Sequence, residues 1–314
     1  MKAGATLLAV YILLRGSDGT VLKALQQAGS LTHKAGGPEA ISFCNVFFFS
    51  SLICGLAMVL IDRRGVTTSL PRLQPRDRLL LALQGLSGFF LGPVAFFLTL
   101  DHLGVVEQTL LFSLTVPLTA LGAHWWLQER LPRSFPITCA VLSVGLLLSH
   151  HGAMAQAGGS DGLGLLWALV GVMAFVASGL LARFNDQRGW GVGLTVGLNS
   201  LGASVLFGLI ALILFGPSHF FYLRLWWVAG VIAGYATLIT LGSQWSLMAA
   251  YRQLGVVPVT LWASLTIVVA LTEAHLLLHE PISAPVVLGA GLIVAAIGLH
   301  QTTSRPGAPP ARQT

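Results

Sequence analysis

The chain has 314 residues, of which 55% are hydrophobic and only 9% are charged, and its mean hydropathy is +0.80. Because a typical soluble domain has roughly 25% charged residues, this composition excludes a soluble globular fold and indicates an integral membrane protein. The net charge of +6 does not indicate a nucleic-acid partner, because the basic residues fall between apolar segments.

Ten apolar segments, bounded by charged residues, glycine or proline, follow one another along the chain. A transmembrane helix needs about 20 apolar residues, and most of the segments reach that length. They cover residues 3–28, 40–61, 79–100, 103–127, 135–149, 163–181, 191–215, 225–248, 254–278 and 284–299. The first segment reaches full length only through Arg15-Gly16-Ser17-Asp18-Gly19. No A-x-A-like cleavage site follows its apolar run before Arg15, so we do not expect a removable signal peptide. We therefore predict an all-α polytopic membrane protein with about ten transmembrane helices.

The distribution of Lys and Arg predicts the orientation, because cytoplasmic loops hold an excess of them. With a cytoplasmic N-terminus and ten crossings, all but four of the 17 Lys and Arg residues lie in the cytoplasm or at its membrane face. The four are Lys23, Lys34 and Arg224 on the outside and Arg15 within the first span. We expect a multi-pass protein of the plasma membrane with both termini in the cytoplasm.

An internal repeat relates the two halves of the chain. Residues 103–129 align with residues 254–280 without a gap, at an offset of 151, with 13 identities in 27 positions. The matches include Ser-Leu-Thr at 113–115 and 264–266, His124 with His275, and Glu129 with Glu280. The predicted domains are thus residues 1–150 and 151–302, with a disordered tail at 303–314. Since each half has five spans, the second half is predicted to be inverted relative to the first, as in carriers that work by alternating access.

The same residues carry a resemblance to a known family. The stretch from Ser113 to Ala120, followed by Gln128-Glu129-Arg130 and a short span with Gly145, resembles the EamA domain of the drug/metabolite transporter superfamily. Its repeat, with His279-Glu280-Pro281 and Gly289, resembles a second copy. The resemblance implies a ten-helix transporter with a central cavity, and the fifth and tenth helices at the periphery. It does not imply one substrate.

Arg15 and Asp18 are the strongest candidates for a substrate site. Ionisable groups inside a bilayer are costly, and they are usually paired, turned toward a cavity and functional. Their i, i+3 spacing places them on one helix face within reach of an ion pair. The alternative is a neutral pair that only fixes the first helix against a neighbour.

Other polar or aromatic residues within the spans are candidates for the cavity lining, although each could instead fill space or bond between helices. Glu107, in the first turn of the fourth span, has the further alternative of a capping carboxylate. These candidates are Asn45, Gln84, Glu107, Asn199, Tyr235, Gln244 and Trp262.

Glu273 and His275, near the outer end of the ninth span, are candidates for ion coupling, since histidine titrates near neutrality. Because His124 and His275 are repeat mates near opposite faces, a structural hydrogen bond in each half is the competing interpretation. Glu129 and Glu280 end their spans at opposite surfaces, and we interpret them as anchors or loop caps.

The function predicted from these observations is secondary transport of a small polar metabolite, such as an amino acid or a related solute, by an exporter or exchanger. The chain has no HExxH, GxSxG or P-loop motif, so neither a catalytic residue nor a nucleotide is expected. Cys44, Cys54 and Cys139 lie in apolar segments without CxxC spacing, so no metal or other cofactor is expected. The bilayer and a small solute are the predicted partners, with a monomer or homodimer as the assembly. The alternatives are a membrane-embedded enzyme that modifies lipids and a membrane protein that does not transport.

Overall fold

A computed structural model describes residues 2–34, 42–128, 161–217, 226–254 and 265–303, together with most of 135–147 and residues 259, 262 and 263. Within these ranges every regular element is helical, as the composition predicts. The predicted tail beyond Thr303 lies outside the described residues, as does Glu129.

Ten helical segments correspond to the ten predicted spans, although the structure describes α5 only in part. They are α1 (Lys2–Lys34), α2 (Phe43–Ile61), α3 (Pro75–His102), α4 (Val105–Leu127), α5 (Phe135–Gly145), α6 (Gly162–Gln187), α7 (Gly193–Phe215), α8 (226–254), α9 (Thr266–Leu278) and α10 (Ala284–Thr303). A short helix, Arg63–Ser69, connects α2 to α3. The boundary predicted at residue 254 is wrong, because Leu254 ends α8 instead of opening α9.

Six of the described helices are long and apolar enough to cross a bilayer: α1, α2, α3, α4, α6 and α7. Shorter apolar helices lie at α5, α9 and α10. The chain is therefore a multi-pass membrane protein. The first helix runs unbroken through Arg15 and Asp18, so the charges do not end it.

One helical irregularity recurs close to the repeat offset of 151 residues. The third helix of each half has a π-helical stretch, Gly85–Leu91 in α3 and Tyr235–Gly242 in α8. Such stretches are rare and concentrate at functional sites. Their recurrence in both third helices therefore indicates that this part of the bundle is functional.

The fourth helix of each half also follows the repeat. The segments Thr115–Leu127 and Thr266–Leu278 have 13 residues each, and each first threonine donates a hydrogen bond to the carbonyl three residues earlier. Each segment ends on a residue in the left-handed conformation, Gln128 and His279, both with φ of 55°. The two segments thus begin and end in the same way, as the sequence repeat predicts.

Helix packing pairs the halves reciprocally. In the first half α1 packs against α8 and α9, and in the second half α6 packs against α3 and α4. Two further pairs, α2 with α7 and α4 with α9, join equivalent helices. Glycine allows the closest approach, since a Cβ on Gly16 would lie 2.6 Å from the Val269 side chain and one on Gly171 would lie 2.6 Å from the Phe112 ring. These main contacts therefore stay the same when the halves are exchanged.

Candidate substrate cavity

Arg15 and Asp18 form the ion pair that their spacing predicts. The Nη1 atom of Arg15 donates to Oδ2 of Asp18 at 2.6 Å. The other carboxylate oxygen, Oδ1, accepts a hydrogen bond from the Tyr235 hydroxyl at 2.7 Å. Tyr235 is the first residue of the π-helical stretch of α8. Its hydrogen bond to Asp18 therefore links the first helix of one half to the third helix of the other.

The pair borders a cavity of about 390 Å³, which lies within the usual range for small-molecule sites. Both halves contribute to its wall. The lining residues are Tyr11, Arg15, Gly16, Asp18, Gly19, Phe96, Thr109, Phe112, Ser113, Thr115, Val116, Phe175, Ala263, Thr266, Ile267 and Ala270.

The two charges of the pair differ in their exposure. The Arg15 side chain is 45% exposed, whereas the Asp18 side chain is 11% exposed. A guanidinium has five N–H donors, so the one bond to Asp18 leaves others for a ligand. The cavity therefore presents a cationic hydrogen-bond donor more openly than it presents the anion.

Hydroxyl groups line the cavity where the fourth helix of each half begins its second segment. Ser113 donates to the Leu110 carbonyl at 2.6 Å, Thr115 to the Phe112 carbonyl at 2.7 Å, and Thr266 to the Ala263 carbonyl at 2.8 Å. Since the backbone carbonyls accept these hydroxyl protons, the hydroxyl oxygens themselves remain as hydrogen-bond acceptors. The site therefore combines a donor on α1 with acceptors on α4 and α9.

Three aromatic rings form the apolar part of the wall. The Phe112 ring lies between Phe96, at a centroid distance of 5.1 Å, and Phe175, at 5.9 Å. The rings come from α4, α3 and α6 and contact one another edge to face, a favourable arrangement. They offer a ligand an apolar surface beside the polar groups.

Several predicted lining residues instead bond between or within helices away from the cavity. The Gln84 side chain accepts from Asn185 at 2.7 Å and donates to the Thr195 carbonyl at 3.3 Å. Asn199 donates to the same Thr195 carbonyl at 2.8 Å. Asn45 is fully buried in α2, where its backbone N–H bonds the Ser42 hydroxyl.

The remaining predicted lining residues also lie outside the wall of the cavity. Glu107 is half-buried in the first turn of α4, the position at which its alternative interpretation places it. Gln244 is half-buried in α8. The Trp262 side chain is 53% exposed, although its neighbour Ala263 lines the cavity. Of the nine predicted substrate residues, Arg15 and Asp18 border the cavity and Tyr235 contacts Asp18.

The two predicted coupling residues make hydrogen bonds near the cavity without lining it. The Glu273 carboxylate accepts from the Ser17 hydroxyl at 2.8 Å, which joins α9 to α1. The Nδ1 atom of His275 lies 2.9 Å from the Glu280 carbonyl oxygen. This contact fits the competing structural interpretation of His275.

Glu280 caps a helix of the other half. Its two carboxylate oxygens accept from the backbone N–H groups of Val105 at 2.8 Å and Val106 at 3.1 Å. A carboxylate at a helix N-terminus satisfies unpaired donors and opposes the positive end of the helix dipole. Glu280 therefore caps the start of α4 and joins the two halves, whereas the sequence indicated only an anchor or loop cap at the end of its own span.

Lys23 and Asp161 bind backbone ends at the same side of the bundle. The Lys23 ammonium donates to the carbonyls of Leu100 and Leu103 at the end of α3. Asp161 caps α6 by accepting from the Leu163 N–H at 3.0 Å, and a hydrogen bond from His102 lowers the pKa of its carboxyl. These contacts hold the turn between α3 and α4 from two sides.

The sequence pattern did not single out the hydroxyl residues and the phenylalanines that line the cavity. Ser113, Thr115 and Thr266 belong to the Ser-Leu-Thr motif that carried the repeat and the family resemblance, so a signal was present. Phe96, Phe112 and Phe175 resemble ordinary apolar core residues, and nothing in the sequence separates them from the other phenylalanines.

The family model of EamA-like transporters matches residues 31–150. Residues 31–150 are thus similar to the EamA domain. This confirms the resemblance and supports a membrane transporter of small solutes. No curated protein matches the sequence. A solved structure titled "Crystal structure of protein" matches 95% of this chain and 96% of its own, with a TM-score of 0.57 and 17% identity. That likeness concerns the fold alone.

Proposed function

We propose that the protein is a secondary transporter of the EamA type that carries a small polar metabolite, such as an amino acid or a related solute, by alternating access. It acts as an exporter or exchanger in the plasma membrane. The observation that carries this proposal is the cavity shared by the two halves, with an ion pair at one wall.

The chemistry of the wall fits a solute that has both a carboxylate and an amino group. The Arg15 guanidinium matches a carboxylate in charge and in donor geometry. The acceptor oxygens of Ser113, Thr115 and Thr266 suit an ammonium, and the aromatic rings suit an apolar side chain. A zwitterion has no net charge, so its binding beside the neutral Arg15–Asp18 pair leaves the cavity without an uncompensated charge.

Alternating access requires two halves that can exchange their arrangements around one site. We propose that the halves are inverted repeats, with their spans in opposite directions. The repeat offset of 151 residues, which relates the helix breaks and the left-handed ends of the fourth helices, supports this proposal. The reciprocal packing of α1 with α8 and of α6 with α3 supports it as well.

The proposed orientation places both termini in the cytoplasm. In a cysteine-free background, Gly162→Cys at the start of α6 should react with an impermeant maleimide in intact cells. Thr67→Cys, in the helix between α2 and α3, should react only after permeabilisation. Both positions are exposed, and nothing lies within 4 Å of a Cβ on Gly162. The reverse labelling would overturn the orientation.

Transport is tested in proteoliposomes. Radiolabelled amino acids and related solutes are first screened for thermal stabilisation of the purified protein, since a ligand of the folded state raises the unfolding temperature. A stabilising solute should then show uptake that unlabelled internal solute accelerates, and it should be recovered chemically unchanged. The Arg15→Gln/Asp18→Asn double variant, reconstituted at equal density, should lose this counterflow. Chemical conversion of the solute would instead indicate an enzyme.

A further inference from the structure

We infer that Arg15 and Asp18 link carboxylate binding to proton uptake, so that a monocarboxylate enters the cavity with one proton and a zwitterion enters with none. This inference rests on the proposed function, because it concerns the same cavity. It assigns the coupling group to Asp18, whereas the sequence pattern pointed to Glu273 and His275.

The first step is the scarcity of charge around the cavity. Among the described residues that line it, Arg15 and Asp18 are the only ones charged at neutral pH, and Tyr11 is the other ionisable group. The elements packed against α1 add Tyr235 from α8, which bonds Asp18, and Glu273 from α9, which bonds Ser17. Lys23 is the next cation along α1, and it bonds the carbonyls at the end of α3. The two charged groups that line the cavity therefore balance each other.

The second step is the dependence of Asp18 on Arg15. Asp18 is 8% exposed, and its two oxygens are bonded by Arg15 and Tyr235. Tyr235 contributes a neutral hydroxyl, so Arg15 supplies the positive charge that stabilises the buried carboxylate. Arg15 is also the open donor to which a ligand carboxylate would bind.

The third step is the charge balance after binding. A carboxylate on Arg15 places two anions around one cation, and a net negative charge in a site of low dielectric is strongly disfavoured. Protonation of Asp18 by a proton from water restores neutrality, and the protonated oxygen keeps Tyr235 as its hydrogen-bond partner. An amino acid brings its own ammonium, so it binds without this proton.

The experiment compares three ligands with one side chain on the purified protein in detergent. They are 4-methylpentanoate, leucine and 4-methylpentanamide, which are anionic, zwitterionic and neutral. In weakly buffered solution with a pH indicator, 4-methylpentanoate should take up about one proton per site and leucine about none. Between pH 6 and 8 the Kd of 4-methylpentanoate should rise towards tenfold per pH unit, while that of leucine stays constant. The amide should bind most weakly.

Three variants locate the proton. Asp18→Asn imitates the protonated carboxyl, so it should bind 4-methylpentanoate with no proton uptake and without pH dependence. Arg15→Gln should lose the binding of both acids at least tenfold. Glu273→Gln should keep the proton uptake of the unmodified protein. Proton uptake that survives Asp18→Asn and disappears in Glu273→Gln would assign the coupling to Glu273 and overturn the inference.

Results on the unmodified protein decide the inference even where a variant fails to fold. Equal proton uptake with leucine and 4-methylpentanoate, or no binding of 4-methylpentanoate at 10 mM, would contradict it. Because binding and proton uptake are measured without a membrane, they are independent of transport. Normal proton uptake in detergent with no counterflow in proteoliposomes would overturn the proposed function and leave the site assignment intact.

Discussion

At the scale of single residues, the energetics of the bilayer explain which site residues the sequence revealed. Arg15 and Asp18 were evident because charge within an apolar span is costly and is retained where it is paired. Tyr235, Ser113 and Thr266 carry neutral hydroxyls, which are common in transmembrane helices for reasons of packing. Their role depends on which helix faces which, and that is a property of the tertiary structure.

The Tyr235 hydroxyl should contribute measurably to stability, because it is one of two partners of a buried carboxylate. We expect Tyr235→Phe to lower the free energy of unfolding by about 1–3 kcal/mol, the usual cost of removing a hydrogen bond to a buried charged group. Tyr11→Phe is the matched control, since Tyr11 lines the cavity and no described hydrogen bond joins it to Asp18. Thermal unfolding in detergent compares the two, and equal effects would show that the bond to Asp18 adds nothing.

At the scale of helices, the apolar runs predicted the positions of helices better than the positions of π-helical stretches and breaks within them. Six of the predicted segments lie on described helices that are long and apolar enough to cross a bilayer, because length and hydropathy determine whether a segment can span it. The π-helical stretches Gly85–Leu91 and Tyr235–Gly242 and the break at Ser113 were not predicted. A shift from one hydrogen-bond register to another changes neither length nor hydropathy, and neighbouring helices decide it.

The approach of α1 to α9 depends on the missing side chain of Gly16. A Cβ there would lie 2.6 Å from Val269 and 3.0 Å from the Thr266 carbonyl. Gly16→Ala should therefore destabilise the protein by about 1–3 kcal/mol, as overpacking does. Gly202→Ala in α7, where a Cβ meets nothing within 4 Å, should be neutral or slightly stabilising. If Val269→Ala restores the stability of Gly16→Ala, the clash with the Val269 side chain is the cause; failure of this rescue would exclude that side chain as the cause.

The Glu280 cap connects the second half to the first turn of α4. Glu280→Gln keeps the size of the side chain but removes its charge, so the N–H groups of Val105 and Val106 lose a charged acceptor. We expect a loss of about 1 kcal/mol, typical of helix caps. Hydrogen exchange measured by mass spectrometry should become faster in peptides that cover residues 103–112 and stay unchanged in α2. Unchanged exchange at the start of α4 would contradict the role of the cap.

At the scale of the whole molecule, residues of both halves of the chain build the cavity. Its polar wall combines α1 and α4 of the first half with α9 of the second, and its aromatic wall adds α6. The Asp18 bond to Tyr235 and the Glu280 bond to α4 both join one half to the other. A movement of one half against the other would therefore change the cavity wall and these two hydrogen bonds together. Alternating access in a carrier requires such a coupled change.

The proposed inversion of the second half predicts that repeat mates at the ends of the fourth helices lie on opposite sides of the membrane. Gln128 and His279 are such mates, both exposed and both in the left-handed conformation, so a cysteine imposes the same backbone strain at each. In a cysteine-free background, His279→Cys should react with an impermeant maleimide in intact cells, and Gln128→Cys should react only after permeabilisation. Each variant is first checked for folded yield, and thiol reactivity in detergent should be equal. Labelling of both from the same side would require an even number of crossings between them and would exclude a second half that is inverted relative to the first.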